Sequence, residues 1–403
     1  MTTMKGTGEM KMRKESVALL LAGGEGRRLG ALTHNTAKPA VHFAGKYRMI
    51  DYALSNCRNS GIDTIGVVTQ YKPESLHQHI GNGTAWLNEP DKGSIELLCS
   101  DQEHVVGNEY TGTANAVYQN RHFIEKHDPE FVVVLSGDHI YQMDYSEMIR
   151  QHKERGSEAT IAVKPVGWDE ASRFGIMNAD EQGRVVEFEE KPARPKSNLA
   201  SMGIYVFNWD FLKKVLERDD AAEISSHDFG KDVIPMMVEE GAFVHTFSYE
   251  GYWKDVGTID SLWQAQMDLL HESPLQSEID WPMYTAQIAN VQPHIDRTAR
   301  VDSSLISENC AVYGSVNHSV VSHGVYIGKG SVLTDCVIMP NVRIGNNVKL
   351  HKAIIGEGSV LCDGVTVGKF DAETISVVGD HEVMYKVNEK LPKIYMPRLE
   401  RIG

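Results

Sequence analysis

The stretch that decides the reading runs from Leu19 to Gly30, LLLAGGEGRRLG. Its first half closes an apolar run from Val17 to Ala22; its second half sets three glycines around Glu25 and then two arginines, Arg27 and Arg28. An apolar run this short reads as a buried strand. A strand that feeds a glycine-rich turn and then a helical pattern turns backbone N–H groups toward an anion. No G-K-[ST] follows, so the turn is not a Walker loop. Leu29 stands where a dinucleotide fingerprint needs Gly or Ala. Between Gly23 and Arg48 there are five cationic residues, Arg27, Arg28, Lys38, Lys46 and Arg48, against Glu25 alone, in a chain of net charge −15. That local surplus predicts a polyphosphate ligand. A merely solvated basic face is the plainer reading, and the glycines beside the charges argue against it.

Working outward, the runs SVALLLA, TIGVVTQ, FVVVLSGD and TIAVKPV read as further buried strands. Between them lie helical patterns such as RMIDYALSNCRNSG and TANAVYQNRHFIEKH. Strand–helix alternation predicts a Rossmann-like, doubly wound α/β domain with a mostly parallel sheet, binding its ligand at the carboxyl ends of the strands. TIDSLWQAQMDLLHES reads as a closing amphipathic helix capped by Thr258, followed by a turn-prone linker with Pro274, Pro282 and Pro293. After about Val301 the pattern changes. Ile327-Gly328, Ile344-Gly345, Ile355-Gly356 and Val367-Gly368 recur, with aliphatic residues every five or six positions between them. This short period predicts a parallel β-helix whose six-residue units each form one side of a coil. The expected organisation is a loose tail (1–15), a catalytic domain (16–275), a linker (276–300) and the β-helix (301–403).

The composition sets the outer bounds. A chain of 403 residues exceeds one ordinary core, and 41% hydrophobic with 24% charged residues describes a globular protein. The strong negative charge argues against nucleic acid or an anionic membrane as partner. No apolar run approaches a membrane span. Five cysteines without a C-x-x-C pair predict free thiols and a cytoplasmic setting, with Cys310, Cys336 and Cys362 as packing residues.

LAGGEGRRLGALTHNTAKPAVHFAGKYRMIDYALSN resembles the start of the nucleotide-sugar pyrophosphorylases, and AKPAVHFAGKYRMIDYALSNC is similar to the bacterial glucose-1-phosphate adenylyltransferase family within them. TGTANAVYQN, SGDHIYQMDY, FGIM, EFEEKP, ASMGIYVF, SSHDFGKDVIP and YWKDVGT extend the resemblance over nearly all of the first domain. The resemblance implies transfer of AMP from ATP to α-D-glucose 1-phosphate with Mg²⁺, for α-glucan synthesis. It makes the β-helix left-handed and the assembly a homotetramer, with a paralogous second subunit as a further partner. By the same resemblance, Leu21 and Ala22 bind the nucleotide, Gly23, Gly24 and Gly26 cradle its phosphates, Arg28 and Lys38 neutralise them, and Asp138 and Asp255 hold the metal. Gln70, Gly112 and Thr113 contact the base, Thr113 also serving as a helix cap. Lys191 binds the sugar phosphate, while Glu190, Ser201, Tyr205, Asp228, Trp253 and Tyr110 line the sugar side. Pro39 and Pro192 are expected to hold Lys38 and Lys191 in extended backbone.

The chain also departs from the family pattern. Glu109 replaces an aromatic residue, and Asn35 and Thr36 replace basic residues before AKP, which predicts weak activation by sugar phosphates. His42 and Arg48 match positions near the regulatory anion site. Two other readings stay open: a transferase using UTP or dTTP, and a non-catalytic regulatory subunit.

Overall fold

The computed structural model describes residues 13–89, 92–100, 109–270, 275, 277, 279–286, 291–370 and 372–386. Most of the expected tail and the end of the chain therefore lie outside the described residues. The chain divides into two units, residues 1–288 and 289–403.

The first unit is built on nine strands: β1 (Lys14–Leu21), β2 (Thr64–Thr69), β3 (Ser94–Cys99), β4 (Pro129–Ser136), β5 (Ala159–Pro165), β6 (Gly175–Ala179), β7 (Val185–Glu190), β8 (Leu199–Asn208) and β9 (Val244–Ser248). Their order is β7-β6-β8-β4-β1-β2-β3, with β5 beside β8 and β9 beside β5. β1 runs continuously apolar because both its faces are covered. Val17 and Leu19 enter one hydrophobic core while Ala18 and Leu20 enter the other, as the two-residue repeat of a strand dictates. Helices Met49–Asn59 and Tyr145–Arg155 close the second core; Thr113–Gln119, Arg121–His127 and Trp209–Asp220 close the first. The doubly wound expectation is met. Parallel pairing holds where β1 meets β2 and β4 and where β2 meets β3. The other half of the sheet is mixed, because β8 runs antiparallel to β4, β5 and β6.

Thr258 does cap the helix Ile259–Asp268, accepting from Ser261 N–H at 3.2 Å. TANAVYQNRHFIEKH, read as one helix, is two. At Asn120 (φ −98°, ψ 15°) the backbone leaves the helix, and the Asn120 amide bonds back to Ala116 O at 2.8 Å. A short polar side chain competes there with the helical ladder.

The region read as a linker is shared between the units. Tyr284 O accepts from Trp86 Nε1 at 3.0 Å, and Trp281 Nε1 donates to Asn56 Oδ1 at 2.9 Å, both within the first unit. The first β-helix strand, His294–Ile295, already precedes Val301.

The second unit has three parallel sheets forming the sides of a β-helix. Ile327 stacks on Ile344, Leu333 on Leu350 and Ile338 on Ile355, all at the core. Steps between these inward positions are six, five and six residues, so a coil takes 17 residues, and one side is shorter than the expected six. Corners stack as well as sides. Gly324, Asn341 and Gly358 form one column of positive φ, and Gly330, Asn347 and Gly364 another. Glycine and asparagine tolerate that conformation best. Cys310 and Cys336 lie in this core and Cys362 packs against it.

Candidate active site

The carboxyl ends of β1, β2 and β4 open onto a cavity of about 540 Å³. Leu21, Gly23, Gly24, Gln70, Tyr110, Gly112, Thr113, Asp138, Glu190, Tyr205 and Asp228 line it, as the sequence reading grouped them. Ala22 is anchored behind the wall, its N–H on Val68 O at 2.8 Å. Nothing lies within 4 Å of a Cβ built on Gly24, so the loop backbone faces open space there. Gly26 has φ +69°, and a Cβ would come within 2.9 Å of Lys38 Cβ. Glycine is required both for that turn and for the close approach of Lys38. The loop runs into a 3₁₀ segment, Arg27–Thr33, broken at Gly30 (φ 55°), rather than into an α-helix.

Lys38 is the hub. Its Nζ pairs with Asp138 Oδ2 at 2.7 Å and Asp255 Oδ1 at 3.1 Å, and it is buried. Lys38 opens a 3₁₀ turn, Lys38–Ala40, and the extended residue is Ala37; the expected extended backbone at Lys38 is corrected. The turn closes through Val41 N–H on Lys38 O at 3.1 Å, which holds the lysine stem beneath the loop. Burial alone would lower the Lys38 pKa, but Asp138 and then Asp255 raise it above the usual value. Burial pushes the Asp138 carboxyl up, yet Lys38, His139 and a hydrogen bond from Ser136 outweigh it and hold Asp138 well below the ordinary range. Asp255 is likewise lowered against burial, chiefly by His139 and Lys38. Both carboxylates are thus ionised around one ammonium. Arg28 joins them: its Nη2 lies 2.7 Å, and Asp255 Oδ1 2.9 Å, from where a Cβ on Gly257 would stand.

A two-stranded ribbon brings this about. His139–Tyr141 pairs antiparallel with Trp253–Asp255, setting His139 opposite Asp255. His139 Nε2 stands 3.7 Å from Asp138 Oδ1 and 3.9 Å from Asp255 Oδ1. Trp253 Nε1 donates to His139 Nδ1 at 3.3 Å. Sequence reasoning missed His139, because the ribbon joins segments more than a hundred residues apart. Trp253 is corrected too: it is buried against His139 and Phe174, not on the cavity wall.

At the other end of the cavity, Glu190 sits between two glycines. A Cβ on Gly230 would lie 2.7 Å, and one on Gly175 2.9 Å, from Glu190 Oε2. Neither glycine was singled out from sequence. Tyr205 is buried, which pushes its phenol up to about 12. Ser201 is off the wall; its Oγ accepts from Gly203 N–H at 3.3 Å inside a bulge of β8 where Gly203 has φ +68°. Lys191 pairs with Glu190 but is largely exposed and does not line the cavity. Its φ is +48°, not extended: its N–H turns back onto Phe174 O at 3.1 Å. Thr113 is the first residue of its helix, and Gly112 takes the cap position. His42 and Arg48 face each other on a short ribbon and do not line the cavity, with Arg48 Nη1 on Ala40 O at 2.6 Å.

Hard oxygen donors in an ionised pair suit a magnesium ion that takes its remaining ligands from phosphate and water. Among the described residues no group of three or more His, Cys, Asp or Glu forms a metal cage. Asp138 and Asp255 offer two carboxylates, which fits a metal that shares its remaining coordination with substrate phosphate and water.

The nucleotidyl transferase family model matches residues 17–272, and the GlmU-like, C-terminal hexapeptide model matches 286–378. A glucose-1-phosphate adenylyltransferase of Clostridium perfringens is 51% identical over 391 residues, covering 96% of this chain and 99% of that protein. Proteins of the same name are 52% identical in Desulforamulus reducens, over 83% of this chain and 85% of that protein, and in Bacillus cereus, over 84% and 91%. Sheet, cavity and hexapeptide coils agree with these matches, and the chain belongs to the glucose-1-phosphate adenylyltransferases, nucleotidyl transferases with a left-handed β-helix after the catalytic domain.

Proposed function

We propose that the chain transfers AMP from ATP to α-D-glucose 1-phosphate, releasing pyrophosphate and giving ADP-glucose for α-glucan synthesis. The observation that carries this is the Lys38 ammonium held between Asp138 and Asp255 beside the open glycine loop. In the reaction a phosphate oxygen of the sugar phosphate attacks the α-phosphorus of ATP as pyrophosphate departs. Such a transfer asks for in-line positioning and charge neutralisation more than for covalent help. The loop amides from Gly23 to Gly26 and Arg28 hold the departing phosphates. Lys38 supplies positive charge to the same region. Asp138 and Asp255 would hold Mg²⁺, which when bound neutralises charge on the reacting phosphates. Gln70, with Gly112 and Thr113, takes the base. Glu190, Tyr205, Asp228 and Tyr110 meet the glucose, and exposed Lys191 reaches for its phosphate. Ser201 and Trp253 support that wall from behind.

The assembly proposed is a homotetramer, alone or with a paralogous subunit. All five cysteines are free, which supports a reducing cytoplasm. No helix among the described residues is long and apolar enough to cross a membrane. At His42 and Arg48 we place a loose anion site, weakened by the uncharged Asn35 and Thr36.

The test is pyrophosphate release by the pure chain with glucose 1-phosphate, Mg²⁺ and each of ATP, UTP, dTTP, CTP and GTP. ATP should be turned over fastest. Equal or faster turnover of UTP or dTTP would overturn the adenylyl assignment, and no turnover with any nucleotide would favour a regulatory subunit.

A further inference from the structure

The turn that opens the helix Thr113–Gln119 is bonded directly to the segment that carries Asp228. Thr113 Oγ1 donates to Asp228 Oδ2 at 3.0 Å and accepts from Phe229 N–H at 3.0 Å. Ala114 and Asn115 N–H both donate to His227 O, at 2.9 and 3.1 Å. Gly112 leaves no room between the two segments: a Cβ there would lie 2.3 Å from His227 O. His227 takes φ +55°, and Asp219 Oδ2 holds its Nδ1 at 2.9 Å. The two segments are 115 residues apart in sequence, yet Thr113 and Asp228 both line the cavity.

The hydroxyl of Thr113 is used in both directions, so its orientation is fixed. Asp228 has acceptor sites to spare, because a carboxylate offers about four lone pairs. Oδ1 takes the N–H groups of Gly230 and Lys231, at 2.9 and 3.1 Å, and Oδ2 takes Thr113. The remaining acceptor capacity is available to the cavity, and the Thr113 bond helps to decide how the carboxylate is turned.

We infer that Thr113 is a positioning residue that couples nucleotide binding to sugar-phosphate binding through Asp228. The inference rests on the reading of this cavity as the site for ATP and glucose 1-phosphate. A nucleotide packed on Gly112 and Thr113 restricts the turn and, through the hydroxyl, the Asp228 carboxylate. The sugar then meets an acceptor already oriented, and loses less freedom on binding. A ligand can shift an equilibrium only through its differential affinity for the two states. The coupling is reciprocal, so the sugar phosphate tightens nucleotide binding by the same factor.

Calorimetry on the full chain tests this with Mg²⁺, glucose 1-phosphate and α,β-methylene-ATP, an analogue that cannot release pyrophosphate. Each ligand is titrated alone and then against the saturating other. Each should tighten the other by about fivefold or more. Thr113→Val should bring the coupling factor, taken against that variant's own single-ligand affinities, close to one, while Thr113→Ser, which keeps the hydroxyl, should retain it. Thr113→Ala is read in the same way and removes any effect of the extra methyl group; melting curves establish that the variants are folded. Wild-type coupling in the folded Val or Ala variant, or no coupling in the native chain, would overturn the inference. Failure of the native chain to bind either ligand would instead overturn the functional reading on which it rests.

Discussion

Lys38 balances the charge of two carboxylates that otherwise face each other. Their side chains keep only about a fifth of their exposure, 21% for Asp138 and 18% for Asp255. Removing the cation from such a pair leaves uncompensated buried charge, with a cost on the order of 3–5 kcal/mol in dry sites and toward the lower end here. Lys38→Ala should therefore melt well below the native chain in metal-free buffer, and millimolar Mg²⁺ should narrow the gap. A variant that melts like the native protein without metal would remove Lys38 from this role. A second residue sets the response to acid. His152 is buried, with Nδ1 on Thr160 Oγ1 at 2.8 Å, and burial lowers its pKa from 6.5 to about 4. The unfolded chain then binds the extra proton first as pH falls. The stability tied to neutral His152 is complete above about pH 6.5 and is lost progressively toward pH 4. The whole effect is at most about 3.5 kcal/mol, at roughly 1.4 kcal/mol per pKa unit. Urea unfolding at pH 7 and pH 5 should show a smaller loss in His152→Phe than in the native chain; equal losses would refute it. At this scale the sequence was legible where charge met pattern: Lys38, Asp138 and Asp255 stand beside the glycine loop or end apolar runs. His139 carried no such signal. Its importance comes from an antiparallel ribbon that no local spacing reveals.

At the scale of elements, the helix Ile259–Asp268 shows how local chemistry and position agree. Thr258 and Ser261 form a reciprocal cap, Thr258 N–H donating to Ser261 Oγ at 3.0 Å and Ser261 N–H to Thr258 Oγ1 at 3.2 Å. Thr258 directly follows Gly257, against which Asp255, Arg28 and Lys38 converge. Thr258→Ala should cost about 1 kcal/mol of stability, measured as a lower urea midpoint at unchanged slope. An unchanged midpoint would mean that tertiary packing alone fixes this helix. The strands of the first unit were readable because burial on both faces leaves short, continuous apolar runs such as FVVVL. The break at Asn120 was not, since the hydrophobic spacing continues across it and only the back-bond to Ala116 shows the interruption. Nor was the 3₁₀ turn at Lys38, where the pre-proline rule misled by one residue and Ala37 carries the extended conformation instead. In the second unit, the aliphatic repeat revealed coils and core. The five-residue side and the 23-residue last turn, in which Ser376 pairs with Ala353, emerge only from strand register.

At the scale of the whole molecule, the second unit poses an edge problem. Its three sheets begin with His294–Ile295, Arg300–Asp302 and Leu305–Ile306 and end with Thr366–Val367, Ser376–Val378 and Val383–Met384. Strands at such ends present unpaired N–H and C=O groups, which invite further pairing unless something covers them. Exposed Ile295 and Val383 stand on two of these end strands, so the rim is apolar and, among the described residues, unpaired on its outer side. Cover by neighbouring copies would satisfy both features, and this is the physical case for the proposed tetramer. Light scattering on the full chain should then give about 180 kDa, four times the 44.9 kDa of one chain. The first unit has its own two cores, so a chain ending at Ile288 should still unfold cooperatively. Without the β-helix it should lose the tetramer and sediment as a smaller species. A truncated chain that remains a tetramer would place the subunit contacts on the α/β unit, and the β-helix ends would then need another explanation for their solubility.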